Sequence, residues 1–279
     1  MITGSKQLKA KIQQLTQGDS LKSQIYLRNY FMERFLERIS ESPYQNRFIL
    51  KGGILFASLV GLDFRSTMDI DSTVKNMALN ETETTNIIKE VIDVPIADSV
   101  KFVIFKSLPI MGEHDYPGIR FSLRGHFQGI NQMIRIDLTT GDVITPQAVL
   151  YDYPLMFENR TIKLMSYNLE TLLAEKLETM IARGTANTRM RDFYDVFILT
   201  RSEDFDLLTL REAIARTSQK RGTELLLLNH DTIMNDIAAS MIMETAWNNF
   251  KQQSYFVGNL SWDEVISECR ILSEKVFSD

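Results

Sequence analysis

The sequence predicts an α+β fold in which a mixed sheet occupies the N-terminal half and helices fill the C-terminal half. Two observations point there. Short apolar runs with strand-like alternation, separated by turn residues, are confined to about the first 160 of 279 residues. After about Ile162 the apolar residues recur at helical spacing almost to the end. A third observation bounds the class: 44% of residues are apolar and 24% charged, so the chain can bury a core and is neither disordered nor fibrous. The expected domains are 1–160, an α/β unit with an N-terminal helix, and 161–279, a helical unit that completes a cleft.

The elements follow in order. Gln7 to Ser42 reads as helix with a break at Gly18, and Leu27, Phe31 and Phe35, widened by Tyr30 and Leu36, form its apolar stripe. Phe48-Ile49-Leu50 is a short strand entering the turn Lys51-Gly52-Gly53, and Ile54 to Val60 is a buried helix stopped near Gly61. Alternation resumes over 68–74, and a polar stretch leads into a helix ending near Val94-Pro95. Strands are expected at Val100–Phe105, Ile119–Leu123 and Met133–Leu138, with Gly112, Pro117, Gly125 and Gly129 as turn residues between them. In the helical half, Leu169, Leu172, Leu173 and Leu177 form one stripe. Phe193, Val196 and Phe197 form the next, interrupted by Thr200.

Composition excludes several functions. The 31 basic and 36 acidic side chains leave a net charge of −5, which speaks against indiscriminate coating of nucleic acid. No apolar run reaches the roughly 18 residues a membrane helix needs. The polar N-terminus lacks the apolar core of a signal peptide, and the single Cys269 suits a reducing compartment, so a cytoplasmic location with no membrane partner is expected.

The chemistry concentrates in acids and glycines. On a strand over 68–74, Asp69 and Asp71 share one face while Ile70 turns to the core. Two same-face carboxylates repel unless a cation intervenes, and oxygen-only ligands suit Mg²⁺ with substrate phosphate oxygens. Asp137, set between Ile136 and Leu138, is the candidate third metal ligand, with Asp142 as a weaker substitute. Gly52 and Gly53 allow close backbone approach to a phosphate at a helix start, with Lys51 and Thr67 beside them; neither a Walker A loop nor GxGxxG is present. An isolated Asp-x-Asp is ordinarily a solvated strand face. The ordered series is more specific: strand, Gly-Gly, helix, Thr-x-Asp-x-Asp strand, then a later strand with one Asp. It is the plan of a polymerase-beta-type nucleotidyltransferase core.

The helical half holds a second constellation. Lys176 and Arg183 lie on one side of a helix, and Asp192 and Asp195 are neighbours on another. The lysine can neutralise triphosphate charge with an Asp orienting it, or the residues can simply form helix salt bridges. Arg189 and Arg191 are lesser candidates for phosphate or RNA. His114, His126 and His230 show no metal spacing, Cys269 reads as packing, and Trp247 and Trp262 read as core rather than base-stacking residues.

Leu50-Lys51-Gly52-Gly53, Thr67-Met68-Asp69-Ile70-Asp71, Glu175-Lys176-Leu177 and Arg191-Asp192-Phe193-Tyr194-Asp195 together resemble the motif series of the AbiEii/AbiGii toxin nucleotidyltransferases. Arg221-Gly222-Thr223-Glu224 and the region around Trp247 extend the likeness over residues 20–275. The resemblance implies a cytoplasmic toxin of a bacterial toxin–antitoxin pair acting in abortive phage infection. Its substrate would be a nucleoside triphosphate with two Mg²⁺ ions (Mn²⁺ as substitute), its acceptor an RNA such as a tRNA 3′ end, and its partner a cognate antitoxin. It implies catalytic roles for Asp69, Asp71, Lys176, Asp192 and Asp195, metal binding by the first two, and nucleotide binding by Lys51, Gly52, Gly53, Thr67, Lys176 and Arg191. Ile54 departs from the small or hydroxyl residue the family often places after Gly-Gly. Transfer to a protein side chain, or nucleotide binding without transfer, are the competing expectations.

Overall fold

Local signals in the sequence set most helix ends. In the computed structural model, which describes residues 2–77, 79–111 and 117–278, the chain reverses at Gln17 and Gly18, both with positive φ, between α1 (Ser5–Thr16) and α2 (Ser20–Ser40). The Asp19 carboxylate caps α2 by accepting from the Lys22 N–H. Then follow β1 (Phe48–Lys51), α3 (Gly52–Val60), β2 (Asp69–Val74) and α4 (Glu81–Ile92), the last capped by Asn80. The sheet continues through β3 (Lys101–Met111), β4 (Pro117–Phe127), β5 (Ile130–Thr139), β6 (Val149–Pro154) and β7 (Thr161–Ser166). Helices complete the chain: α5 (Leu169–Arg183), α6 (Met190–Ser202), α7 (Leu207–Arg221), α8 (Glu224–Leu227), α9 (His230–Ala239), α10 (Met241–Gln253) and α11 (Trp262–Phe277). A capping box of Ser261 and Glu264 starts α11.

The chain resolves into two compact units, Met1–Asp142 with Val149–Ser166, and Val143–Ala148 with Tyr167–Asp279. The first contains a mixed sheet of order β3-β4-β5-β2-β1-β7-β6. The β2–β5 and β1–β7 pairs are parallel and the other neighbours antiparallel. Alternation sorts the central strands cleanly. Ile70, Phe121, Leu123, Ile134, Ile136 and Leu138 are buried on one face, while Asp69, Asp71, Arg120, Arg135 and Asp137 stand on the other. Against the apolar face lies α2, whose Phe31 and Phe35 meet Phe102 edge-on. A Cβ on Gly125 would collide with the Phe31 ring, so this glycine lets α2 approach β4. Each such aromatic contributes about 1.5–3 kcal/mol by burial.

Several expectations need correction. Gly125 and Pro117 are not turn residues but lie within β4, and the strands are longer than their apolar runs suggest. The β4–β5 reversal needs only Gln128 and Gly129, both at positive φ, as a tight hairpin demands. Residues 161–166 are strand rather than helix, and β6 has no counterpart among the expected elements. Gly112 and His114 lie outside the described residues.

The second unit is helical, as its periodicity predicts: Leu172, Leu173, Leu177, Phe193 and Val196 are buried. Thr200, which interrupts the α6 stripe, returns its hydroxyl to the Val196 carbonyl.

Candidate active site

Strand pairing builds the acidic cluster of the first unit. The parallel β2–β5 register places Asp71 beside Asp137 and Asp69 beside Arg135; the β1–β2 register places Lys51 beside Asp71. Directly opposed residues share a face, so three carboxylates gather there as alternation predicts. The Gly53 N–H, at the start of α3, donates to the Asp71 carboxylate. Burial and the facing Asp137 carboxylate push Asp71 up to about 6, with Asp69 adding to the effect, against the opposing pull of Lys51 and the Gly53 N–H.

Both glycines of the turn are required by space. Gly52 has φ +64°, and a Cβ there would strike the Asp71 carboxylate. A Cβ on Gly53 would come within 2.8 Å of Thr67 Oγ1 and 3.4 Å of Arg65 Nη2. Thr67 is buried and donates its hydroxyl to the Asp69 carbonyl at 3.0 Å, which fixes the entry to β2.

The third acid is held otherwise than the sequence suggests. Asp137, the expected metal ligand, is clamped by Arg120 at both oxygens, Nε to Oδ1 at 2.7 Å and Nη2 to Oδ2 at 2.6 Å. This pairing raises the Arg120 pKa further. Arg135 Nε donates to Asp69 Oδ1 at 2.6 Å. Among the described residues no three His, Cys, Asp or Glu side chains are gathered closely enough to hold a metal. The alternative Asp142 receives the Lys51 ammonium and the Thr139 hydroxyl.

Sequence reasoning missed four arginines of this neighbourhood. Arg120 and Arg135 pair with the acids, and Arg28, its pKa lowered by burial and by Arg135, lies within the field of Asp69. Arg65 is buried with its guanidinium over the Phe56 ring, 5.5 Å from the centroid, next to the Gly53 turn. Strand alternation could have flagged Arg135, two residues before Asp137 on the same strand, whereas Arg120 comes onto that face only through the β4–β5 register.

In the second unit, Lys176 donates from Nζ to Asp192 Oδ1 at 3.0 Å and to Asp195 Oδ2 at 2.6 Å. Asp195 is wholly buried, and Arg189 Nε contacts the other Asp192 oxygen at 2.9 Å. This joins α5 to α6 through a buried ion network rather than a surface salt bridge. Arg191 is exposed. Glu178, wholly buried and not singled out from sequence, receives Arg221 and the Thr223 hydroxyl (2.7 Å), so the Arg221-Gly222-Thr223 segment anchors α7 to α5. His126 contacts Asn131, His230 contacts Ser273, Cys269 is buried with its pKa raised by burial, and Trp247 is buried with its Nε1–H on the Leu260 carbonyl.

A mixed sheet that sets an Asp-x-Asp strand beside a Gly-Gly helix start, followed by a helical bundle, is the architecture of a nucleotidyltransferase. Solved structures share it. MenT4, a nucleotidyltransferase toxin from Mycobacterium tuberculosis H37Rv, superposes with a TM-score of 0.59 at 17% identity, over 96% of this chain and 97% of its own. A protein from H. pylori described as a nucleotidyltransferase superposes with a TM-score of 0.51 at 13% identity, over 91% and 94%. At these identities the likeness establishes the fold. No curated protein matches the sequence. Residues 34–268 match the family described as nucleotidyl transferase AbiEii toxin of type IV toxin–antitoxin systems, and the chain belongs to that family. The chain is therefore a nucleotidyltransferase toxin of a toxin–antitoxin system, and the family implies a nucleoside triphosphate substrate, a divalent metal and an antitoxin counterpart. Among the described residues no helix is long and apolar enough to cross a membrane.

Proposed function

We propose that this toxin transfers a nucleoside monophosphate from a triphosphate to an RNA acceptor, a tRNA 3′ end being the favoured one, with Mg²⁺ as the metal. It would act in the cytoplasm during abortive phage infection. One observation carries the reading: Asp69 and Asp71 crowd one sheet face beside the glycine turn that opens α3, and Asp71 is held there by a backbone N–H.

The donor set fits a hard divalent cation. Asp69 and Asp71 offer only oxygens, they alternate onto one face, and their mutual repulsion is what a cation relieves. When bound, such an ion neutralises charge on the triphosphate and favours departure of pyrophosphate. The chain's residues do the rest. Gly52 and Gly53 let Asp71, Thr67 and Arg65 pack directly against the turn whose backbone is assigned to the phosphates, and Arg65 is a buried cation beside it. Lys51 and Thr67 hold the turn and the strand entry, and Lys176, oriented by Asp192 and Asp195, is assigned to the triphosphate with Arg191 as an accessory contact. Asp137, next to Asp71, serves as a third acid once Arg120 turns to a phosphate. The acceptor's 3′ oxygen forms the new bond to the α-phosphorus, the α–β phosphoanhydride breaks, and the hydroxyl proton leaves to solvent.

RNA 3′-end sequencing after brief expression, compared with Asp69→Ala, tests this. Added nucleotides are expected with the parent chain alone, and transfer in vitro should fall by about 10²-fold or more in the variant. Identical ends in both refute the RNA reading. Labelled triphosphate that marks only cell protein would replace it with protein nucleotidylation, and toxicity intact in Asp71→Ala would leave only a binding module.

A further inference from the structure

Beyond the carboxylates, the same sheet face continues as an exposed surface of one charge. Of the six charged residues on β3, β4 and β5, five are basic (Lys101, Lys106, Arg120, Arg124 and Arg135) and only Asp137 is acidic. Strand registers lay them out in rows. Asp71, Asp137, Arg120 and Leu108 form one row across the sheet; Asp69, Arg135, Ser122 and Lys106 form the next; Met133, Arg124 and Val103 form the third. Rows two residues apart are about 6.8 Å from each other, so the third lies about 14 Å from the first.

A local irregularity adds an aromatic to this face. The β3–β4 register shifts between Ile104 and Lys106, which leaves Phe105 without an opposed partner. A bulge re-aims its side chain, and Phe105 turns toward the basic face: it is 61% exposed, and the Arg124 guanidinium lies 5.0 Å from its ring centroid. β3 is an edge strand of the sheet, and among the described residues no further strand hems in the Phe105 ring. An exposed ring flanked by Arg124 and Lys106, on a surface that leads to the acids, has the composition of a single-strand binding platform: a π-face for a base and cations for the flanking phosphates.

We propose that the β3–β4–β5 face carries the single-stranded segment of the RNA acceptor, with Phe105 stacking a base, Arg124 and Lys106 meeting phosphates, and the 3′ end running toward Asp69 and Asp71. This rests on the reading of the acceptor as RNA and adds where that RNA lies. It also reconciles an acidic chain with a nucleic-acid substrate, because the cations are concentrated on one face. Arg120 and Arg135, already shared with the acids, form the inner end of the track.

The test is fluorescence anisotropy of a 5′-labelled single-stranded oligoribonucleotide on the full chain, across a salt series, with nucleotidyl transfer measured in parallel. Phe105→Ala is expected to weaken binding by about 5- to 100-fold, and Phe105→Trp to retain it. Lys106→Ala and Arg124→Ala should each reduce the slope of log affinity against log salt by about 0.7, with triphosphate affinity unchanged in all four variants. These side chains are exposed, so folding is not at stake. RNA affinity equal to the parent's in both Phe105→Ala and Arg124→Ala overturns the proposal, as does a parent chain that binds no RNA. Competition by polyglutamate as strong as by RNA, with Phe105→Ala affecting neither, would reduce the face to a non-specific cationic surface and also overturn it. If the parent binds RNA through this face yet labels none, the acceptor reading fails and the binding surface stands. If the parent labels RNA and the variants bind and react alike, the acceptor reading stands and this surface fails.

Discussion

Glu33 sits in the middle of α2 with its carboxyl buried, accepting from the Met156 N–H at 3.1 and 3.2 Å and from Asn29 Nδ2 at 2.9 Å. Burial pushes its pKa from the ordinary 4.5 up to about 8, against the opposing pull of Arg34 and those hydrogen bonds. The group is therefore protonated in the folded chain at neutral pH and releases its proton on unfolding. Its contribution to stability is fully present below about pH 4.5, declines from there, and is gone once pH passes about 8. The urea unfolding free energy, measured for the parent and for Glu33→Gln at pH 5, 6.5 and 8, should show the parent losing up to about 1.4 kcal/mol per pH unit relative to the variant. Parallel curves would contradict it. Among the described residues Asn29 Oδ1 is buried with no hydrogen-bond partner, an acceptor that the variant's amide can satisfy, so Glu33→Gln is expected to fold.

At the scale of elements, the legible parts are those with one dominant period. In β2, Asp69-Ile70-Asp71 alternates without exception, so the shared face of the acids follows from the alternation alone. The Asp137 parity is legible for the same reason, but its clamp by Arg120 depends on strand pairing across some 17 residues of chain, which no local pattern encodes. Edge strand β6 lacks alternation, since Val149 and Leu150 are both exposed, and β7 supplies only Ile162 and Leu164 before the helical pattern begins. In α2 the apolar stripe is visible, but Glu33, Arg34, Glu37 and Arg38 are buried as well, held by partners as distant in sequence as Asp98 and Glu158. The Lys176 network shows the same limit: its spacing is compatible with a surface bridge, whereas it ties α5 to α6 from within. Lys176→Ala is therefore expected to cost about 3–5 kcal/mol in urea unfolding, because two buried carboxylates lose their shared ammonium. Combining Lys176→Met with Asp192→Asn and Asp195→Asn should recover much of that stability without restoring transfer. Restored transfer would confine the lysine to a structural role.

For the whole molecule, the net charge of −5 conceals an uneven distribution. Residues 231–279 alone carry −5, residues 176–221 carry +2, and β3 to β5 present five cations against one acid. Two consequences pull in opposite directions at the acids. Arg135 and Arg120 already neutralise part of the charge of Asp69 and Asp137, which lowers the gain available from a metal. Asp71 is different: burial and the Asp137 carboxylate raise it to about 6 despite the pull of Lys51, so it gains most from a divalent ion. A ligand that binds only the folded chain raises its stability by RT ln(1 + [L]/Kd), about 2.7 kcal/mol at a hundredfold excess over Kd. Thermal unfolding should therefore move upward when Mg²⁺ and a non-hydrolysable triphosphate are added together. Chelation should reverse the gain, and Asp71→Asn should abolish it while its metal-free Tm stays near or above the parent's, because the amide removes a repulsive charge. An equal rise in parent and variant would assign the stabilisation to the triphosphate alone, and the carboxylate face would lose its claim to the metal.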